Sequence, residues 1–149
     1  MPVRIQHADF DLSTEVAQLR AADAGVGAIV SFVGTVRDFS DGSTVAGMEL
    51  EHYPGMTEKA LQHIIDDAAA RWTIADALIV HRIGVLQAME QIVLVAVTSA
   101  HRGEAFAACE FIMDYLKTAA PFWKKEHTAE GARWVDARTT DTQALDKWS

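Results

Sequence analysis

The stretch QIVLVAVTSAHRGEAFAACEFIMDYLKTAAP, residues 91–121, constrains the fold more than any other part of the chain. An apolar, β-branched run of strand length reaches Ser99 and Ala100, passes the polar turn at His101 and Arg102, and continues in a helical apolar period. Pro121 has no amide hydrogen and cannot extend that helix, so the chain beyond it runs extended. The segment predicts a buried strand passing directly into a helix over residues 103–119.

The same signals divide the rest of the chain. VRIQH alternates and predicts a first strand, and Ser13 is placed to cap a helix through about Asp23. After the DAGVG turn, GAIVSFVGTV at 27–36 is β-branched and almost entirely apolar, the pattern of a strand buried on both faces. RDFSDGST has the composition of a mobile loop, VAGMELEHY resumes a strand, and Pro54–Gly55 marks a turn. A helix from about Thr57 to Trp72 carries Ala60, Leu61, Ile64, Ile65 and Ala68 on one stripe. ADALIVHRIG predicts a strand separated from the next by Gly84 and a polar stretch, ARWVDA predicts a last strand, and the polar tail from Thr139 suggests a short or frayed helix. No repeat, low-complexity tract or linker interrupts the 149 residues, and this mixed order of elements predicts a single α+β domain over 1–149, its tail after about 138 possessing least structure.

Charge narrows the functions open to such a domain. Thirteen Lys and Arg against 21 Asp and Glu give a formal net charge of −8 and a pI near 5.1, which argues against a nucleic-acid surface but not against a small cationic pocket. The ten N-terminal residues lack the apolar core of a signal peptide and no run has the length of a membrane span, so a soluble, cytoplasmic protein is expected. Cys109 is the only cysteine; no intramolecular disulfide is possible, and its place in an apolar stripe marks it as a small core residue. The six histidines show no metal-ligand spacing, there is no phosphate-binding glycine motif, and neither a metal nor a cofactor is expected.

The positive charge that does exist is concentrated. On a helical wheel Phe106, Cys109, Ile112, Met113 and Leu116 share a side, and Lys117 falls about 20° from Phe106. Lys117 therefore borders the apolar stripe, either as a snorkelling side chain paired with Asp114 or as an ammonium lining a pocket. Beyond Pro121 the two-residue period sends Lys124 and Lys125 to opposite faces, so one of them joins Lys117. His101 and Arg102, at the strand-to-helix junction where free amides and the helix dipole favour an anion, suit a phosphate or carboxylate. Arg37 also ends an apolar strand, and a neighbouring strand end is a way to bring it alongside them. His63 and His81 are expected as ordinary helix and strand residues.

The motifs GAIVSFVGTVRD, LEHYPGMTEKAL, HRIG, VTSAHRGEAF, FIMDYLKTAAPFWKKE and RWVDAR follow one another between residues 27 and 138. In that order they resemble the large, catalytic subunit of molybdopterin synthase. The resemblance implies a hammerhead-type α/β core with an additional antiparallel sheet, and a homodimer that binds two small ubiquitin-like subunits to form a heterotetramer. It implies that the C-terminal Gly-Gly tail of each small subunit carries a thiocarboxylate whose sulfur passes to cyclic pyranopterin monophosphate, building the dithiolene of molybdopterin. By position Lys117 matches the family lysine nearest the incoming tail and Lys124 its second active-site lysine. Arg37, His101 and Arg102 match residues of the substrate pocket, and Arg138 a basic residue that reaches a site from its own or the other protomer. Two rivals belong to other classes: a Schiff-base lysine enzyme acting on a phosphorylated carbonyl substrate, and a non-catalytic binding module for an acidic peptide tail.

Overall fold

The computed structural model of the protein describes residues 2–40, 43–128, 131–135 and 143–148. Strand β1 (Val3–Gln6) is followed by helix α1 (Leu12–Ala21), strands β2 (Ala28–Thr35), β3 (Phe39–Ser40) and β4 (Ser43–His52), and helix α2 (Met56–Arg71). Strands β5 (Asp76–Arg82), β6 (Gly84–Gln87) and β7 (Gln91–Ser99) precede helix α3 (Arg102–Ala119), strands β8 (Phe122–Thr128) and β9 (Gly131–Val135), and a final 3-10 turn, η1 (Leu145–Trp148). The architecture is the expected α+β.

The first sheet has the order β1-β5-β7-β2, with β1 parallel to β5 and the other pairs antiparallel. β5 and β7 are its central strands, and their near-continuous apolar runs are buried on both faces. On one face α2 and α3 pack Leu61, Ile65, Ala108, Phe111 and Ile112 against Ala77, Ile79, Val93, Val95 and Val97. On the other, Phe10 and Leu19 cover Leu78, Val80, Leu94 and Ala96. Burial of the branched side chains in these two layers, at roughly 1.5–3 kcal/mol each, is the main driving term for the domain.

The second sheet joins β3, β4, β8 and β9, with β6 along the other edge of β4. Met48, Leu50 and Leu86 on its inner face enclose Val36 at one end of the first sheet. Gly47 lets β6 lie this close, because a Cβ there would sit 2.5 Å from the Leu86 carbonyl oxygen.

Several expectations change. Asp11, not Ser13, caps α1, its carboxylate accepting from the Thr14 amide at 2.9 Å. β2 is an edge strand rather than a doubly buried one, and Phe32 on it is 39% exposed. β6 occupies the stretch read as a polar separator, and β3 forms within the expected loop. On α3 the buried stripe is Ala105, Ala108, Cys109, Ile112, Met113 and Leu116, while Phe106 is 61% exposed.

Candidate functional site

α3 turns back over β7 after the Ala100–His101 junction, so its end lies over the start of that strand; Cys109 packs near Val95, and Leu116 joins the same cluster as Val93. Lys117 is exposed in the last turn of α3. Asp114, one turn earlier, is engaged elsewhere: it accepts from Trp148 Nε1 at 2.7 Å and pairs with Lys147 at 3.4 Å. Lys117 has no ion pair among the described residues, so the snorkelling pair with Asp114 is not formed.

The helix stops where Ala120 takes an extended conformation before Pro121, as the residue preceding a proline prefers. The corner is pinned by Thr57, a fully buried residue at the start of α2. Its hydroxyl donates to the Pro121 carbonyl at 3.1 Å and accepts from the Tyr53 amide at 3.0 Å. Gly55, at φ +84°, makes the preceding turn possible, and its amide donates to the Glu58 carboxylate at 3.1 Å.

From that corner β8 pairs with β4, placing Phe122 opposite His52, Lys124 opposite Leu50 and Lys125 opposite Glu49. Opposed residues share a face, so Lys124 lies on the inner face with buried Leu50, and Lys125 lies on the outer face with Glu49 and exposed Val85. The expected division of the two lysines is observed. Phe122 stacks on the ring of His81 at 3.8 Å between centroids. Burial pushes the His81 imidazole down to about 4; the Arg82 carbonyl opposes that shift, and the charges of Lys124, Lys117 and His52 add to it. These groups therefore share one end of the molecule. From the sequence His81 is expected only as an ordinary strand residue, and His52 and Thr57 are given no part in the site. The available signal was a histidine in register with Ala77 and Ile79 on an otherwise apolar inner face.

The anion candidates divide between two ends. Arg37 follows β2 beside the start of β7, where the Val36 amide bonds to the Glu90 carbonyl, at the lysine end of the sheet. His101 and Arg102 are exposed at the opposite end, where Ser99 pairs with Ala28. Fifteen residues of α3 separate Arg102 from Lys117, about 22 Å along the helix axis, and β7 places a similar span of about 27 Å between Arg37 and His101. Antiparallel pairing of β2 with β7 thus separates Arg37 from His101 and Arg102 within one chain instead of bringing them alongside. Arg138 lies outside the described residues.

Cys109 behaves as the core residue expected: burial, with a smaller contribution from Glu110, pushes its thiol up to about 11. Among the described residues no group of histidine, cysteine and carboxylate side chains could hold a metal ion, and no helix is long and apolar enough to cross a membrane.

Comparison with known proteins follows the same lines. Residues 5–119 match the MoaE protein family. The chain is 67% identical over 146 residues to the molybdopterin synthase catalytic subunit of Ralstonia nicotianae, covering 98% of this chain and 83% of that one. It is 57% identical over 148 residues to the molybdopterin synthase catalytic subunit of Pseudomonas aeruginosa, covering 99% of each. The solved structure of the molybdopterin biosynthesis MoaE protein from Burkholderia ambifaria superposes with a TM-score of 0.85 at 61% identity, covering 98% of this chain and 96% of that one.

Proposed function

Because the chain belongs to the MoaE protein family, its role lies in forming molybdopterin, and we propose that it does so by moving sulfur from the thiocarboxylated C-terminal glycine of a small ubiquitin-like subunit to cyclic pyranopterin monophosphate. In each transfer a carbon–sulfur bond forms on the pterin side chain as an oxygen substituent leaves that carbon, and hydrolysis then breaks the acyl carbon–sulfur bond, water supplying the oxygen that returns the glycine as a carboxylate. Two transfers complete the dithiolene. The observation that carries the reading is the Pro121 corner, which turns Lys124 to the inner face at the end of α3 where Lys117 stands. An ammonium there stabilises charge developing on the acyl oxygen or departing sulfur and supplies a proton. Lys117 is the central catalytic group in this reading, Lys124 holds the tail or phosphate, and the reaction runs in the cytoplasm with a sulfur that arrives on the partner, leaving Cys109 unused.

The wide separation of the anion residues favours a homodimer. Among the described residues β2 pairs with β7 alone and leaves its other edge open; it carries exposed Phe32, and Phe106 is exposed on the neighbouring helix. Two β2 edges pairing antiparallel about a two-fold axis bring the Ala28 end of one copy to the Thr35 end of the other. His101 and Arg102 of one protomer then meet Arg37, Lys117 and Lys124 of its partner, giving the phosphate of the pterin its cationic site. Arg138 remains a candidate contributor to the same pocket.

The test is single-turnover transfer from a thiocarboxylated small subunit to the cyclic pterin, with dithiolene product as the readout. Lys117→Ala should lower the rate by ~10²–10³ with partner binding retained, Lys124→Ala should lose less, and Lys125→Ala should stay near wild type. Full activity in Lys117→Ala, or equal defects at all three lysines, would refute the assignment. Borohydride trapping of a carbonyl substrate on Lys117 would instead support the Schiff-base alternative.

A further inference from the structure

The final turn, η1, packs against α3. Trp148 seats its indole in an aromatic corner between Trp72, at the end of α2, and Phe111 of α3, meeting both rings edge-on. From that seat its Nε1 donates to Asp114 Oδ2 at 2.7 Å. The Lys147 ammonium, which also pairs with Glu110 one turn earlier on α3, stands 3.4 Å from the same oxygen. The Asp114 side chain is only 17% exposed, so the carboxylate relies on these donors in place of water.

Asp114 and Lys117 are three residues apart on one helix, a spacing that brings side chains within reach and favours a carboxylate–ammonium pair. Lys117 nevertheless forms no ion pair among the described residues. The C-terminal turn occupies the carboxylate that the helix would otherwise offer to Lys117. A carboxylate on Lys117 would oppose both tasks of the ammonium, since it retains the proton that Lys117 must give up and repels an anionic tail or phosphate.

We propose that Lys147 and Trp148 are positioning residues for Lys117: by holding the Asp114 carboxylate they keep the Lys117 ammonium free for the site at the end of α3. Neither residue touches the reacting groups in this account, and both act through Asp114. The inference rests on the sulfur-transfer reading and names what prepares its central lysine.

The test applies two readouts to wild type, Lys147→Met/Trp148→Phe, Asp114→Asn and the triple variant. Lys147→Met/Trp148→Phe removes both donors and keeps an aromatic ring in the corner. The first readout is trace acetylation of Lys117 by acetic anhydride, quantified by mass spectrometry against Lys59 of α2, and it needs neither small subunit nor pterin. Only the free amine attacks the anhydride, so an ammonium held by a carboxylate labels more slowly. In Lys147→Met/Trp148→Phe, labelling of Lys117 should slow by about two- to threefold, the scale of an ion pair at this spacing with a largely buried carboxylate. The second readout, single-turnover sulfur transfer, should slow by a similar factor at unchanged partner binding. Adding Asp114→Asn should restore both readouts, and Asp114→Asn alone should leave them at wild-type values. A turn that merely braces α3 gives a defect that Asp114→Asn cannot repair. Persistence of the defect in the triple variant would therefore overturn the proposal, as would unaltered labelling of Lys117 in Lys147→Met/Trp148→Phe. Should that variant fail to fold, Trp148→Phe, which deletes the 2.7 Å donor alone, carries the same comparison with Asp114→Asn. The expected labelling pattern in a wild-type protein that transfers no sulfur would support the hold on Asp114 and count against the functional reading alone.

Discussion

Acidification should destabilise the fold through His81 in a measurable window. An unfolded histidine titrates near 6.5, and burial holds the folded His81 near 4, so the unfolded chain binds the extra proton between those values. Stability is therefore unaffected by this group above about pH 6.5, falls as pH drops toward 4, and reaches its full loss below that. At 1.36 kcal/mol per unit, the limiting loss is about 3 kcal/mol, and about 2 kcal/mol of it has developed by about pH 5. Urea denaturation of wild type and His81→Phe near neutrality and near pH 5 isolates the term, since the remaining histidines contribute equally to both proteins. The wild type should lose about 2 kcal/mol more than the variant over that interval. Parallel pH dependence in the two proteins would show that the ring is not held neutral by burial and would refute the reasoning.

Other consequences follow from the supports of the lysine end. Thr57→Val removes the hydroxyl that ties Pro121 and the Tyr53 amide, and should cost about 1–3 kcal/mol by denaturant titration while slowing sulfur transfer more than it weakens partner binding. Trp148 sets its indole against Trp72 and Phe111 with centroids 5.5 and 5.4 Å away, besides its bond to Asp114. Trp148→Phe should cost about 1 kcal/mol and Trp148→Ala about 2–3 kcal/mol in urea midpoint, and equal effects of the two would show that the aromatic packing contributes nothing.

The elements with strong periodicity were legible because one physical demand governed each of them. α3 and β7 had to bury their apolar stripes on each other, and Pro121 could only end the helix. The lysines after it divided between faces because a strand alternates. β2 misled because an apolar run reads alike in a central strand and at a sheet edge; among the described residues it ends the order β1-β5-β7-β2, with Phe32 39% exposed. Phe106 lies at the border of the apolar arc of α3 and is 61% exposed, and Lys117 is exposed on the same border. His81 and Thr57 gave no motif. Their roles arise from contacts between residues far apart in sequence, the Thr57 hydroxyl with the Pro121 carbonyl and the His81 ring with Phe122, which only the paired sheets create. Arg37, His101 and Arg102 were each recognisable as anion residues, yet the sequence could not tell which of them a single chain brings together.

Complementation between inactive protomers tests the central claim most directly. Lys117→Ala and Arg102→Ala subunits, each inactive alone, are mixed in equal amounts, allowed to exchange, and assayed for dithiolene formation with a thiocarboxylated small subunit. If each site joins Lys117 of one protomer to Arg102 of its partner, half of the randomly formed dimers hold one intact site, and activity should recover to about a quarter of wild type. No recovery, with exchange of subunits verified by mass, would contradict a site built across two copies of the chain.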